Sequence, residues 1–108
     1  MREVVLVGFT SIPIRNIIHE AVARGGIIVD VRTREEFAAG HIPMAINVPL
    51  EQIEEGAYSL PKSKYLIVYC ERGISSMRAA LAMGEDGYKV INTIGGLAQY
   101  KGPLTRQK

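Results

Sequence analysis

Short apolar runs alternate along this chain with segments that carry helix signals, and that alternation limits the folds open to it. Ile27-Ile28-Val29-Asp30-Val31 is a continuous apolar run, the pattern of a strand covered on both faces. Val4–Val7, Ala45–Val48, Leu66–Tyr69 and Val90–Ile94 read as further strands. Between them lie helix signals. Pro13 opens a helix over Ile14–Arg24, with Ser11 or Ile12 as its cap and Gly25-Gly26 as its end. On that helix Ile14, Ile17, Ile18, Ala21 and Val22 share one face, and His19 lies at the solvated rim. Thr33 and Glu36 form a capping box for a helix over Arg34–Ala39. Leu50–Glu55 and Ser75–Met83 read as helices, the latter ended by Gly84 and Gly87, and a short final helix lies near Leu97–Tyr100. Strands that alternate with helices predict an α/β layer structure with a mostly parallel sheet of five strands.

Composition excludes several function classes. A chain of 108 residues with 47% hydrophobic content can bury a core without disulfides or a structural metal. Its one cysteine, Cys70, has no internal disulfide partner, and no Cys/His cluster has metal-ligand spacing. The formal net charge of +2 is mild, and no basic stripe interleaved with aromatics supports nucleic-acid binding. No run has the apolar length of a signal peptide or a membrane span, so the cytoplasm is the expected compartment. Residues 102–108, with Gly102 and Pro103, are expected to fray at the end of a single domain.

The chemistry-bearing segment is Tyr65-Leu66-Ile67-Val68-Tyr69-Cys70-Glu71-Arg72-Gly73-Ile74-Ser75-Ser76. A strand ends in a cysteine, a tight turn follows, and a helix rich in small residues begins. Loop amides and the positive end of the helix dipole both favour negative charge on the sulfur. A free cysteine is otherwise most often a small buried hydrophobe. Position separates the two readings: Cys70 stands at the mouth of its strand, where ligands of open α/β sheets bind. Without a resolving thiol, any covalent intermediate on Cys70 must be discharged by an outside acceptor.

Four segments together resemble a single-domain rhodanese. They are Asp30-Val31-Arg32 with Glu35-Glu36-Phe37; Gly40-His41-Ile42-Pro43 through Val48-Pro49; Tyr69-Cys70 with Gly73 and Ser75-Ser76; and Gly87-Tyr88 through Gly95-Gly96-Leu97. The resemblance implies a three-layer α/β domain and a sulfurtransferase that needs no cofactor. A sulfane sulfur would pass from a small anionic donor such as thiosulfate to Cys70 as a persulfide. Cyanide, a thiol or a protein would then accept it. It implies no nucleic-acid or membrane partner.

Within the resemblance Cys70 is the catalytic residue, and Glu71, Arg72, Gly73, Ile74, Ser75, Ser76 and Arg78 surround the substrate. Arg72 is the leading cation for an anionic donor, which Glu71 opposes. Many active family members carry arginine at the position of Ser75, which leaves Arg72 and Arg78 as the nearby cations. Ser75 and Ser76 either donate to the sulfur or cap the helix. Asp30 and Arg32 read as a structural clamp. His41 belongs to a fold motif and bonds to backbone rather than forming a Cys–His dyad. Met44 stands where the family often has glycine and Tyr100 where it often has tryptophan, both read as packing variation.

Three rival readings stand beside this one. A cysteine phosphatase or arsenate reductase needs a longer loop and an arginine six positions after the cysteine, where this chain has Ser76. A non-catalytic rhodanese-like module often lacks the cysteine that is present here. A persulfide carrier for protein thiolation shares the chemistry of a sulfurtransferase and differs in its partner.

Overall fold

The computed structural model describes residues 9–107. Five parallel strands form one sheet in the order β1-β5-β4-β2-β3: β1 Phe9–Pro13, β2 Ile27–Asp30, β3 Ile46–Asn47, β4 Tyr65–Tyr69 and β5 Lys89–Ile94. The helices are α1 Ile17–Arg24, α2 Arg34–Ala39, α3 Leu50–Glu54 and α4 Ile74–Glu85. Short 3₁₀ turns cover Ile14–Asn16 and Leu97–Gln99.

Period-two alternation along the inner strands builds two cores. Val29, Leu66, Val68, Cys70 and Val90 face α3 and α4, where they meet Ile53, Ala79, Ala80 and Met83. Ile28, Ile67, Tyr69 and Ile91 face the other way, onto Ile14, Ile17 and Ala21 of the first helical segment. Each fully buried Ile, Leu or Val contributes about 1.5–3 kcal/mol relative to exposure. This is the three-layer arrangement that the alternating pattern predicts.

Several details depart from the sequence reading. The strand expected at Val4–Val7 lies outside the described residues. The first described strand is Phe9–Pro13, where the sequence predicts a helix start instead of a strand. Ser11 and Ile12 therefore sit in a strand and cap nothing, and Pro13 is both the last residue of β1 and the N-cap of the 3₁₀ turn. A proline is tolerated there because β1 is an edge strand, paired with β5 alone. Helix α4 starts at Ile74, one residue early, and runs through Gly84 to Glu85. The final helix is one 3₁₀ turn. His19 is exposed, and Thr33 and Glu36 form the reciprocal capping box at α2.

Residues 101–107 are tied to the body rather than frayed. The Thr105 backbone exchanges two hydrogen bonds with His41, at 2.7 and 2.8 Å, and the Gln107 amide donates to the Ala38 carbonyl. These bonds join residues far apart in sequence, so local composition carries no sign of them. Met44 is more than packing variation: its φ of 77° makes it the one non-glycine residue in the left-handed region among the described residues. A glycine at that position would adopt this conformation without a Cβ penalty.

Candidate active site

Cys70 follows the last residue of β4, the middle strand of the sheet. Its sulfur packs on the α4 side, and the residue is only 3% exposed. The Gly73 amide donates to Sγ at 3.0 Å. Gly73 is also the N-cap of α4, with φ 98°, so one left-handed residue turns the chain, aims an amide at the sulfur and starts a helix of 12 residues. Gly73 is the one amide donor to the Cys70 sulfur among the described residues.

The loop is held from behind. The Leu97 amide donates to the Cys70 carbonyl at 2.8 Å and the Ala98 amide to the Glu71 carbonyl at 3.0 Å. This approach requires Gly96: a Cβ there would lie 2.6 Å from the Glu71 carbonyl carbon and 2.7 Å from the Arg72 nitrogen. The φ of Gly96, +65°, independently disfavours a side chain.

In front of the sulfur opens a cleft of about 640 Å³. Its lining brings together Cys70, Glu71 and Ser75 from the loop and helix start, Val31–Glu36 from the β2–α2 segment, and Pro49–Gln52 at the start of α3. Of the cations singled out in the sequence, neither Arg72 nor Arg78 lines it. Arg72 is exposed, and Arg78 forks Glu54 at 2.8 and 3.0 Å. Ile74 is also outside the lining and 73% exposed. The lining guanidiniums are Arg32 and Arg34, and Arg34 donates to Gln52 at 2.8 Å, joining α2 to α3.

Sequence reasoning missed Arg34, Leu50, Glu51 and Gln52, because the fold, not the spacing, carries them to Cys70. The one available signal was their place in the first turns of helices that follow strand ends.

Neither serine caps α4. Ser76 is fully buried and donates to the Gly73 carbonyl at 3.3 Å. That places a buried hydroxyl where an oxyanion-binding loop of the phosphatase type would need a guanidinium.

Beside the cleft lies a buried ionic cluster. Asp30, fully buried, accepts from Arg32 Nη2 at 2.8 Å, Arg32 Nε at 3.1 Å and the Arg32 amide at 2.8 Å. The Tyr69 hydroxyl donates to Asp30 at 2.6 Å and accepts from the Ile42 amide at 3.0 Å. Arg32 Nη2 also donates to the Gly40 carbonyl at 2.6 Å, and Nη1 lies 3.4 Å from Glu71. Burial acts to lower the pKa of the Arg32 guanidinium, but its hydrogen bonds to Asp30 and that carboxylate's charge outweigh burial and hold it above the ordinary value. Burial, then the Asp30 charge and hydrogen bond, push the Tyr69 phenol far above the ordinary tyrosine value.

His41 is occupied elsewhere. Its Nδ1 lies 2.9 Å from the Phe37 carbonyl, which requires the proton on that nitrogen, and its ring stacks on Phe37 at 3.7 Å. It does not line the Cys70 cleft. Among the described residues no group of three or more His, Cys, Asp or Glu could hold a metal ion, and no helix is long and apolar enough to cross a membrane.

A parallel sheet with a cysteine at the carboxyl end of its middle strand defines a class, and comparison with known proteins gives the family. The rhodanese-like domain family matches residues 15–103, and the chain belongs to it. The thiosulfate sulfurtransferase GlpE of Coxiella burnetii is 34% identical over 76 residues, 69% of this chain and 71% of that protein. A sulfurtransferase of Allochromatium vinosum is 35% identical over 72 residues, 66% of this chain and 67% of that protein. The crystal structure of a rhodanese-like domain protein from Staphylococcus aureus superposes with a TM-score of 0.78 at 26% identity, covering 92% of this chain and 99% of that one.

Proposed function

We propose that this protein is a sulfurtransferase that carries sulfane sulfur as a persulfide on Cys70. The observation that carries the reading is the Gly73 amide 3.0 Å from a sulfur that sits at the end of a strand, lines a cleft and heads α4. That donor and the helix N-terminus are placed to stabilise negative charge as it develops on sulfur during transfer. The Cys70 thiolate attacks the outer sulfur of the donor, a sulfur–sulfur bond forms, and the donor's own bond to that sulfur breaks. With thiosulfate the electron pair leaves on sulfite. An acceptor thiolate, or cyanide, then attacks the outer sulfur of the persulfide and restores the Cys70 thiolate.

Asp30, Arg32 and Tyr69 act as positioning residues, fixing the ends of β2 and β4 and the Gly40–Ile42 turn beside the loop. A thiol that must stay reduced between turnovers suits the cytoplasm. Either a small acceptor or a protein acceptor fits the same chemistry.

The test is intact-protein mass spectrometry of reduced protein treated with thiosulfate or inorganic polysulfide and then cyanide, beside Cys70→Ser. The expected result is a gain of one sulfur atom that cyanide removes as thiocyanate, absent from the variant. No sulfur gain from either donor would overturn the assignment and leave a binding module.

A further inference from the structure

The resemblance points to a dianionic donor, yet the walls of the Cys70 cleft carry an excess of negative charge themselves. Glu35, Glu36, Glu51 and Glu71 line it, against the guanidiniums of Arg32 and Arg34. Arg32 is already matched by the buried Asp30. Arg78, which could have offset the carboxylates, is spent on Glu54 outside the cleft. Even if the exposed Arg72, which does not line the cleft, is counted on the positive side, the mouth stays negative. Arg34 is drawn onto Gln52 at 2.8 Å, and so joins two walls rather than standing free for an anion.

We propose that the Cys70 cleft selects neutral or cationic thiols and their persulfides as its sulfur-exchange partners and disfavours small dianions such as thiosulfate. This rests on the persulfide relay described above and specifies its substrate class. The exchange step balances without any redox partner: the acceptor thiolate attacks the outer sulfur of the Cys70 persulfide, a new sulfur–sulfur bond forms, the old one breaks, and its electron pair returns to Cys70. A positive group on the acceptor lowers the energy of approach and a carboxylate raises it. Two net charges about 8 Å away across water change the rate on the order of fivefold per unit of acceptor charge at low salt.

The graded salt dependence reads this out independently of each thiol's intrinsic reactivity. The protein is loaded on Cys70 with inorganic polysulfide, and decay of the persulfide is followed by mass spectrometry. The acceptors are cysteamine, whose attacking thiolate carries no net charge because of its ammonium, mercaptoethanol, whose thiolate carries one negative charge, and mercaptopropionate, whose thiolate carries two. Raising the ionic strength is expected to speed transfer to mercaptopropionate most, to speed transfer to mercaptoethanol less and to leave cysteamine nearly unchanged. Glu35→Gln with Glu51→Gln removes two exposed carboxylates that make no side-chain hydrogen bond among the described residues, and should flatten the slopes. Equal slopes for the three thiols, slopes in the reverse order, or slopes unmoved by the double variant overturn the charge selection while the relay stands. Failure of both polysulfide and thiosulfate to load Cys70 overturns both.

Discussion

Replacing Arg32 with leucine isolates what the buried cluster beside the cleft does for the fold. The guanidinium is 6% exposed at its side chain and the Asp30 side chain 0%. Arg32→Leu removes the Nε and Nη2 donors to Asp30 and the Nη2 donor to the Gly40 carbonyl. Asp30 then keeps two donors, the residue-32 amide and the Tyr69 hydroxyl, against a full buried charge. Breaking a buried pair by removing one partner costs about 3–5 kcal/mol. A chain of this length has roughly 5–16 kcal/mol in total, so the loss is a large share of stability. At about 4–5 °C per kcal/mol it lowers Tm by roughly 12–25 °C. Thermal and urea unfolding followed by circular dichroism measure it directly. Arg32→Leu combined with Asp30→Asn should recover a substantial part of the loss, because the stranded charge is gone. A single-variant cost below about 1 kcal/mol, or a double variant equal to the sum of its parts, would refute the view that Arg32 compensates a buried carboxylate.

Two further perturbations probe other parts of the fold. Met44→Gly relieves a left-handed φ of 77° at a residue 58% exposed, and should raise stability by about 0.5–1 kcal/mol net of glycine's chain entropy. An unchanged or lower Tm would show the strain to be absent. Tyr69→Phe takes the acceptor from the Ile42 amide and a donor from Asp30, at a cost of about 1–3 kcal/mol near neutral pH. Because the folded-state pKa of Tyr69 is raised, its contribution is complete below the ordinary tyrosine value of about 10 and is lost as pH rises above it. Urea midpoints across that range should therefore fall less steeply for the variant than for the parent, and parallel curves would contradict the shift.

The sequence discloses local features and conceals those made by distant segments. The capping box of Thr33 and Glu36 is legible because its four residues are consecutive and its hydrogen bonds local. The inner strands are legible because both faces are covered, so apolar residues fill most positions. The edge strand β1, Phe9-Thr10-Ser11-Ile12-Pro13, is not, because polar residues and a terminal proline are acceptable on an edge. At the site Cys70 is legible from its place between strand and helix. Arg34 and Gln52 are not, since α2 and α3 bring them in from distant parts of the chain. Arg72 and Arg78 show the converse error. Close to Cys70 in sequence, they are exposed and outside the cleft's lining, with Arg78 held by Glu54.

The position of β4 has a consequence for how the molecule breathes. The strand that ends at Cys70 has a parallel neighbour on each side, whereas the cleft's far wall hangs on β2 and on a two-residue edge strand, β3. Native-state hydrogen exchange should accordingly be slowest at Leu66–Tyr69 and faster through α2 and α3. Under the proposed relay, the sulfur that carries the persulfide is fixed to the backbone expected to exchange slowest, and the wall facing it belongs to the side expected to exchange faster. On that reading, acceptors of different bulk are accommodated by give in α2 and α3 while the sulfur keeps its place, and exchange rates in those two helices, not in β4, should respond to the size of the bound thiol.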